Sequence, residues 1–240
     1  MTTGLTYAQY VTQIATLAVV GESDGAFVEI LPQMITYAEN RIYRDLDFLF
    51  TSTTNSSYAL SIGNRSLTIT QGTFVVTDQI NVITPYTTTN PELGTRVPCL
   101  PVTKEFLDTV YNSSSATNRG VPQYFVPFND NVFLFGPSPD ATYTVEIVGT
   151  YRPDSLSATE TTTFISTYLP DLMIMASMIF VSGYQRNFGR SNDDPQMAVT
   201  YESQYKALLI GAEVEEARKK HEGSGWTSQP PAPVASPSRG

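Results

Sequence analysis

The chain has 240 residues, 41% hydrophobic and only 15% charged, so it can bury roughly 70 to 75% of its unfolded surface in one or two domains and is no disordered tail. Its 23 acidic residues against 14 basic ones give a formal net charge of -9, which repels nucleic acid over most of the surface and argues against a general DNA binder. One cysteine, Cys99, and one histidine, His221, exclude an internal disulfide, a multi-histidine metal site and a conventional Ser-His-Asp triad on a folded scaffold.

From Leu5 to Val20 the apolar residues Tyr7, Tyr10, Val11, Ile14, Leu17 and Ala18 recur at helical spacing, with Thr6 placed to cap them and Gly21 to follow. The first cation in the chain is Arg41. The start therefore lacks the basic region of a secretory signal, and an intracellular origin is expected. A second helix is predicted to begin near Pro32, whose missing amide costs nothing in a first turn, and to carry Ile35, Ala38, Ile42, Leu46 and Leu49 along one stripe. Its other face, Glu39, Arg41, Arg44 and Asp45, is expected to be solvated or to meet a neighbouring subunit.

Between Thr51 and Thr150 the composition turns to Thr, Ser, Val and aromatic residues, broken at short intervals by glycine and proline, the pattern of strands and turns. Strands are predicted at Ser57 to Ile62, Ser66 to Thr70, Phe74 to Thr84, Tyr124 to Phe128, Val132 to Phe135 and Tyr143 to Tyr151. Asn129, Asp130 and Asn131 should link two of them in a hairpin, because Asn and Asp tolerate a left-handed backbone. A short helix, Lys104 to Tyr111 capped by Thr103, is expected to interrupt the sheet. The sequons at Asn55, Asn64 and Asn112 read as polar turns in an intracellular chain.

After Tyr151 the helical pattern returns. Pro170 and Asp171 open a helix through Leu172, Met175, Ala176, Ile179 and Phe180 that is apolar almost all round and so must be buried. Its most apolar run, Leu172 to Val181, is far shorter than the roughly 18 to 20 residues a bilayer requires. A last helix, with Asp194 as cap and Pro195 in its first turn, is predicted to run to about Glu222 with Met197, Tyr201, Tyr205, Leu208 and Ala212 on one stripe. It ends in Arg218, Lys219 and Lys220, suited to a helix carboxyl pole. Residues 223–240 are rich in Pro, Gly, Ser and Ala and cannot build a core. The expected fold is α+β. It consists of a discontinuous four-helix bundle (residues 1–50 and 151–222), an inserted antiparallel β domain (51–150) and an extended, proline-rich carboxyl-terminal arm (223–240).

Reactive motifs are missing: no GxxxxGK[ST], GxGxxG, HExxH, CxxC or GxSxG occurs, so no catalytic residue, metal or cofactor is assigned and the chain is read as non-enzymatic. The acidic clusters have structural accounts: Asp193 and Asp194 precede a helix start, and Glu213, Glu215 and Glu216 precede Arg218, Lys219 and Lys220 at helical pairing distance. Asp130 between two asparagines lacks the glycine and glutamate of a calcium loop. Cys99 has no cation nearby to activate it.

Tyr151, Arg152, Pro153 and Leu156, followed by Leu169, Pro170, Asp171 and Leu172 and an apolar helix, resemble the head-to-tail adaptor proteins of tailed bacteriophages. The segment Leu31, Pro32, Ile35, Ala38, Glu39, Ile42, Arg44, Asp45 and Leu46 is similar to the opening helix of that family, and the closing helix with Tyr201 and Tyr205 to its last. The resemblance implies a structural connector of the virion neck, made in the host cytoplasm. It would form a homo-oligomeric ring, a dodecamer, between the portal protein and the tail nozzle or tube protein, as in the tail tubular adaptor of short-tailed phages. DNA would pass through its channel without specific binding, as the acidic balance favours, and no membrane partner is implied. On this reading Glu39, Arg41, Arg44 and Asp45 make subunit contacts. Arg218, Lys219, Lys220, Trp226, Pro230 and Pro231 bind the portal, with Trp226 as an anchor worth about 2 kcal/mol or more. The alternative is a β-sandwich binding module for carbohydrate or protein, with a helical stalk and Tyr124, Phe125, Phe133 and Phe135 as a platform. A hydrophobic sheet face is the simpler account of those rings.

Overall fold

Thr6 sets the start of the first helix. In the computed structural model, which describes residues 4–85, 90–185 and 197–222, α1 runs over Tyr7–Ala18. The Thr6 hydroxyl accepts the Gln9 amide and the Gln9 side chain accepts the Thr6 amide, a reciprocal capping box. The helix stops at Val19 rather than at Gly21. Val19 takes the left-handed conformation, φ 56°, and amides of Val19 and Val20 return to the Thr16 and Ala15 carbonyls.

Helix α2 spans Gly25–Asp45, so Pro32 lies inside it and not at its start. The Asp24 carboxylate accepts the Ala26 and Phe27 amides. That cap begins the helix well upstream, and the apolar stripe extends back through Leu31 and Phe27; together they outweigh the one helical bond that Pro32 deletes. Four more helices follow among the described residues: α3 (Lys104–Val110), α4 (Phe164–Tyr168), α5 (Pro170–Gln185) and α6 (Met197–Glu222). Thr103 caps α3 as expected, through the Phe106 amide. The capping box of α4, Thr163 with Ser166, was not anticipated. The Asp194 cap and Pro195 lie outside the described residues.

The chain divides into two compact units: the described residues up to Leu49 and from Asp154 onward form one, Phe50–Pro153 the other. In the helical unit α5 packs against α1, α2, α4 and α6. Its Leu172, Met173, Ala176 and Met178 are buried with Tyr10, Ile14, Met34, Ile35, Ile42 and Tyr205. Ser177, a polar residue of that interior, donates to the Met173 carbonyl and accepts the Tyr10 hydroxyl at 2.5 Å, and burial raises the Tyr10 phenol.

The other unit is a seven-stranded, mostly antiparallel sheet. Its strands are β1 (Ser52–Leu60), β2 (Ser66–Thr68), β3 (Val76–Thr84), β4 (Thr95–Pro101), β6 (Tyr124–Asn129), β7 (Val132–Gly136) and β9 (Tyr143–Thr150), in the order β1-β9-β3-β4-β6-β7-β2. The outer strands β1 and β2 come back into contact, so the sheet curls around a core of Leu60, Val82, Phe125, Phe135, Val145 and Ile147, among others. Two short strands, β5 (Arg119–Gly120) and β8 (Ser138–Pro139), pair separately.

The sheet departs from a purely antiparallel expectation at β4–β6 and β5–β8, which are parallel. Strand β4 carries Pro98 and Pro101, residues that argue against a central strand. It escapes that rule by changing partners: Thr95 to Cys99 pair with β3, whereas the Leu100 and Val102 amides turn to β6. By the two-residue period, Pro98 has its missing N–H on the side where β6 has not begun. The β6–β7 turn forms without a left-handed residue; the Asn129 side chain instead accepts the Asn131 amide.

Val19 is 77% exposed and β-branched at φ 56°, a conformation that costs about 1 to 2 kcal/mol in a non-glycine residue. Val19→Gly should raise unfolding free energy by about 1 kcal/mol in denaturant titration. A loss of stability of that size would show the position to be unstrained.

Candidate interaction surfaces

The charges on α2 do not share one outward face. Glu39 is 1% exposed. Its carboxylate accepts the Leu156 amide at 3.2 Å and the Thr163 hydroxyl at 3.3 Å, fastening the segment that leads into α4. Burial lifts its carboxyl above the usual range despite hydrogen bonds from Ser155, Leu156 and Thr163. The expectation of a solvated face fails here because helical geometry places residue 39 beside Ala38 and Ile35, on the buried side.

Arg41 turns to α6 of its own chain. It meets Glu202 at 2.7 Å and Asp45 at 3.7 Å, and its guanidinium lies 4.3 Å from the centre of the Tyr205 ring. The Tyr205 hydroxyl donates to Asp45 at 2.7 Å. Arg41 holds the Glu202 carboxyl below its ordinary range, and burial together with Asp45 raises the Tyr205 phenol. Arg44 alone of the four is an exposed cation with no ion pair among the described residues. The sequence hid this clamp because Glu202 stands four residues before Lys206, as an ordinary surface pair does, and the two are indeed 3.3 Å apart.

The basic end of α6 is also partly engaged. Lys219 reaches Glu216 at 2.7 Å and Glu215 at 2.9 Å, and lies over the Phe164 ring; Lys220 pairs with Asp47. Glu216 is buried and accepts the Leu49 amide at 3.2 Å. Arg218 is exposed. Trp226, Pro230 and Pro231 lie outside the described residues.

In the β unit, Phe125, Phe133 and Phe135 are buried in the core, and Tyr124 packs edge-on to Phe106 at 5.5 Å, so these rings form no binding platform. On the sheet face away from that core, Glu146 of β9 accepts Arg96 of β4 through both oxygens at 2.9 to 3.0 Å and Asn81 of β3 at 2.9 Å. Arg96 holds the Glu146 carboxyl below its usual range. An open polar cleft of about 440 Å³ is lined by residues that include Gly63, Arg65, Asp108, Tyr111, Ser113 and Ser138. Its charges are satisfied: Asp108 meets Arg65 at 3.0 Å and Lys104 at 2.5 Å. The Cys99 thiol is buried, and burial pushes it up to about 12, which leaves it protonated and unreactive at neutral pH. Among the described residues no group of three His, Cys, Asp or Glu side chains could hold a metal ion, and no helix is long and apolar enough to cross a membrane.

Several of the ionisable groups on these surfaces, Glu39, Arg41, Glu146 and Glu216 among them, are tied to other parts of the same chain. The family model of the SU10 adaptor proteins matches residues 5–231. The chain therefore belongs to that family of phage adaptors, structural components of the virion. A search of the curated proteins finds no match.

Two of the buried carboxylates, Glu39 and Glu146, should respond to pH in opposite directions. Glu39 has a raised folded-state pKa, so its contribution is complete below its unfolded value, about 4.3, and is lost as pH rises through the folded value. Glu146 has a lowered one, so its contribution holds above about 4.3 and is lost as pH falls. Glu39→Gln keeps an acceptor for Leu156 and Thr163 and should be at least as stable as the native chain at pH 8. Glu39→Ala removes the acceptor of Ser155, Leu156 and Thr163 and should cost about 1 to 3 kcal/mol. Equal destabilisation by Gln and Ala in thermal melts at pH 8 would refute the buried-charge account.

Proposed function

We propose that this adaptor forms a ring, a dodecamer, that seats below the portal protein and above the tail nozzle or tube protein and continues the DNA channel between them. The match of the SU10 adaptor family over residues 5–231 carries the reading. The net charge of -9 supports it, because a conduit wall without a cationic excess does not hold DNA phosphates during packaging and ejection.

Within this reading α1, α2, α5 and α6 act as a four-helix bundle that meets neighbouring subunits, and the β insert faces the next tail component. Residues 223–240 are an arm for the portal, with Trp226 as its anchor and Pro230 and Pro231 keeping it extended, which lowers the entropy lost on docking. Lys219 and Lys220 are engaged within their own chain, so the arm starts after α6 and Arg218 is the cation left for a partner. Likewise Arg44, and not Arg41, is the α2 cation free for a subunit contact.

The native mass of the purified chain, alone and mixed with the portal protein of the same phage, tests the assignment. A closed multimer bound to portal is expected. Removing residues 223–240 should leave thermal unfolding unchanged and weaken portal attachment, with Trp226→Ala reproducing much of that loss. A truncated chain that binds portal normally would remove the arm from the account, and a chain that never joins portal would remove the adaptor placement.

A further inference from the structure

A closed ring of identical copies uses a head-to-tail contact, in which each copy offers two different surfaces. Resting on the ring reading above, we propose that the outward face of α6 in one copy docks on the outward face of α1 in the next copy of this chain.

On α6 the exposed residues Val199, Ser203, Ala207, Ile210, Val214 and Ala217 fall within about 80° of one another at 3.6 residues per turn. This arc carries no charge, although Lys206 borders it and turns to Glu202, and Val199, Ile210 and Val214 are 62%, 64% and 45% exposed. The opposite side, with Tyr205, Ala212 and Glu216, is buried in the helical unit. Helix α1 has no charged residue at all, yet Thr12, Thr16 and Leu17 are exposed. The Thr12 and Thr16 hydroxyls donate to the Ala8 and Thr12 carbonyls at 3.1 and 2.8 Å. Covering these hydroxyls strands no donor, and the exposed Gln13, between them and Leu17, is the side chain on this face that needs a partner in the next copy.

Charge selects a second copy as the occupant. Two chains of net charge -9 repel over most approaches, and surfaces without charge are where like copies can meet. The ends of the two faces are complementary: Arg218 closes the α6 stripe, Glu22 follows α1, and both are exposed with no ion pair among the described residues. Laid side by side in parallel, the two helices bring these charges together. Val19 adds a separate sign. It stands between Leu17 and Glu22, 77% exposed and held at φ 56° by the backbone hydrogen bonds that end α1. Strained backbone positions cluster at functional sites such as ligand clamps and switch regions.

The test uses the full chain, alone and with the portal protein of the same phage. Leu17→Cys and Val214→Cys combined in one chain should, on mild oxidation, give a ladder of covalent multimers on non-reducing gels, whereas each single variant gives none. Ile210→Glu and Thr12→Glu should each lower the assembled fraction at least tenfold at fixed concentration with unchanged circular dichroism melts. Ile210→Lys together with Thr12→Glu should recover it. Val19→Gly should weaken assembly although it stabilises the fold. Native-mass rings from every variant, with no ladder, would overturn this interface and leave the ring reading standing. Cross-links to the portal alone would overturn it too. A native chain that stays monomeric in all mixtures would overturn both.

Discussion

A helix that is apolar on every side has to be enclosed, and α5 is such a helix. Its enclosing partners come from both ends of the chain, α1 and α2 from before the β segment and α6 from after it. Burying α5 therefore obliges the chain to return to the helical unit after about one hundred residues of sheet, which makes the β unit an insertion and not an appendage. Isolated helices of these lengths are marginal in water, so α1, α2 and α6 depend on α5 as much as it depends on them.

Hydrophobic enclosure alone leaves the register of such helices loosely defined. Here polar ties fix it: Tyr10 to Ser177 joins α1 to α5, Arg41 to Glu202 and Tyr205 to Asp45 join α2 to α6, and Glu39 holds the amide of Leu156. The Tyr10 and Glu39 ties are buried and would be costly to leave half made, and the two α2–α6 ties are half-buried, so a slipped arrangement is penalised most at Tyr10 and Glu39. The charges that mark an interface in many proteins are thus spent inside one chain. Helix α1 is uncharged and α6 carries one exposed stripe without charge, and in a chain so acidic these neutral surfaces are the ones suited to contact between copies.

Much of this organisation was legible in the sequence. The three-part order of helices, sheet and helices followed from the switch between helical and two-residue periods, and Thr6 and Thr103 announced their helix starts. What escaped depended on contacts distant in sequence or on a local choice between equals. Pro32 suggested a helix start, but Asp24 offered a stronger one upstream. Strand β4 was hidden by Pro98 and Pro101, which are tolerable only because the strand changes partners between them. Glu39 looked like part of a charged face, since sequence spacing does not say that Leu156 and Thr163 will supply donors from the far end of the insertion. The tie between Arg41 and Glu202 spans 161 residues and was invisible for the same reason.

The division of labour between internal charges and neutral outward faces is the central claim, and hydroxyl-radical footprinting of free against assembled chain measures it directly. Leu17, Ile210 and Val214 should lose labelling on assembly while residues around the half-buried Arg41 clamp stay unchanged. Undiminished labelling of those three residues in an assembled ring, with protection appearing instead along the exposed residues of α2, would contradict it.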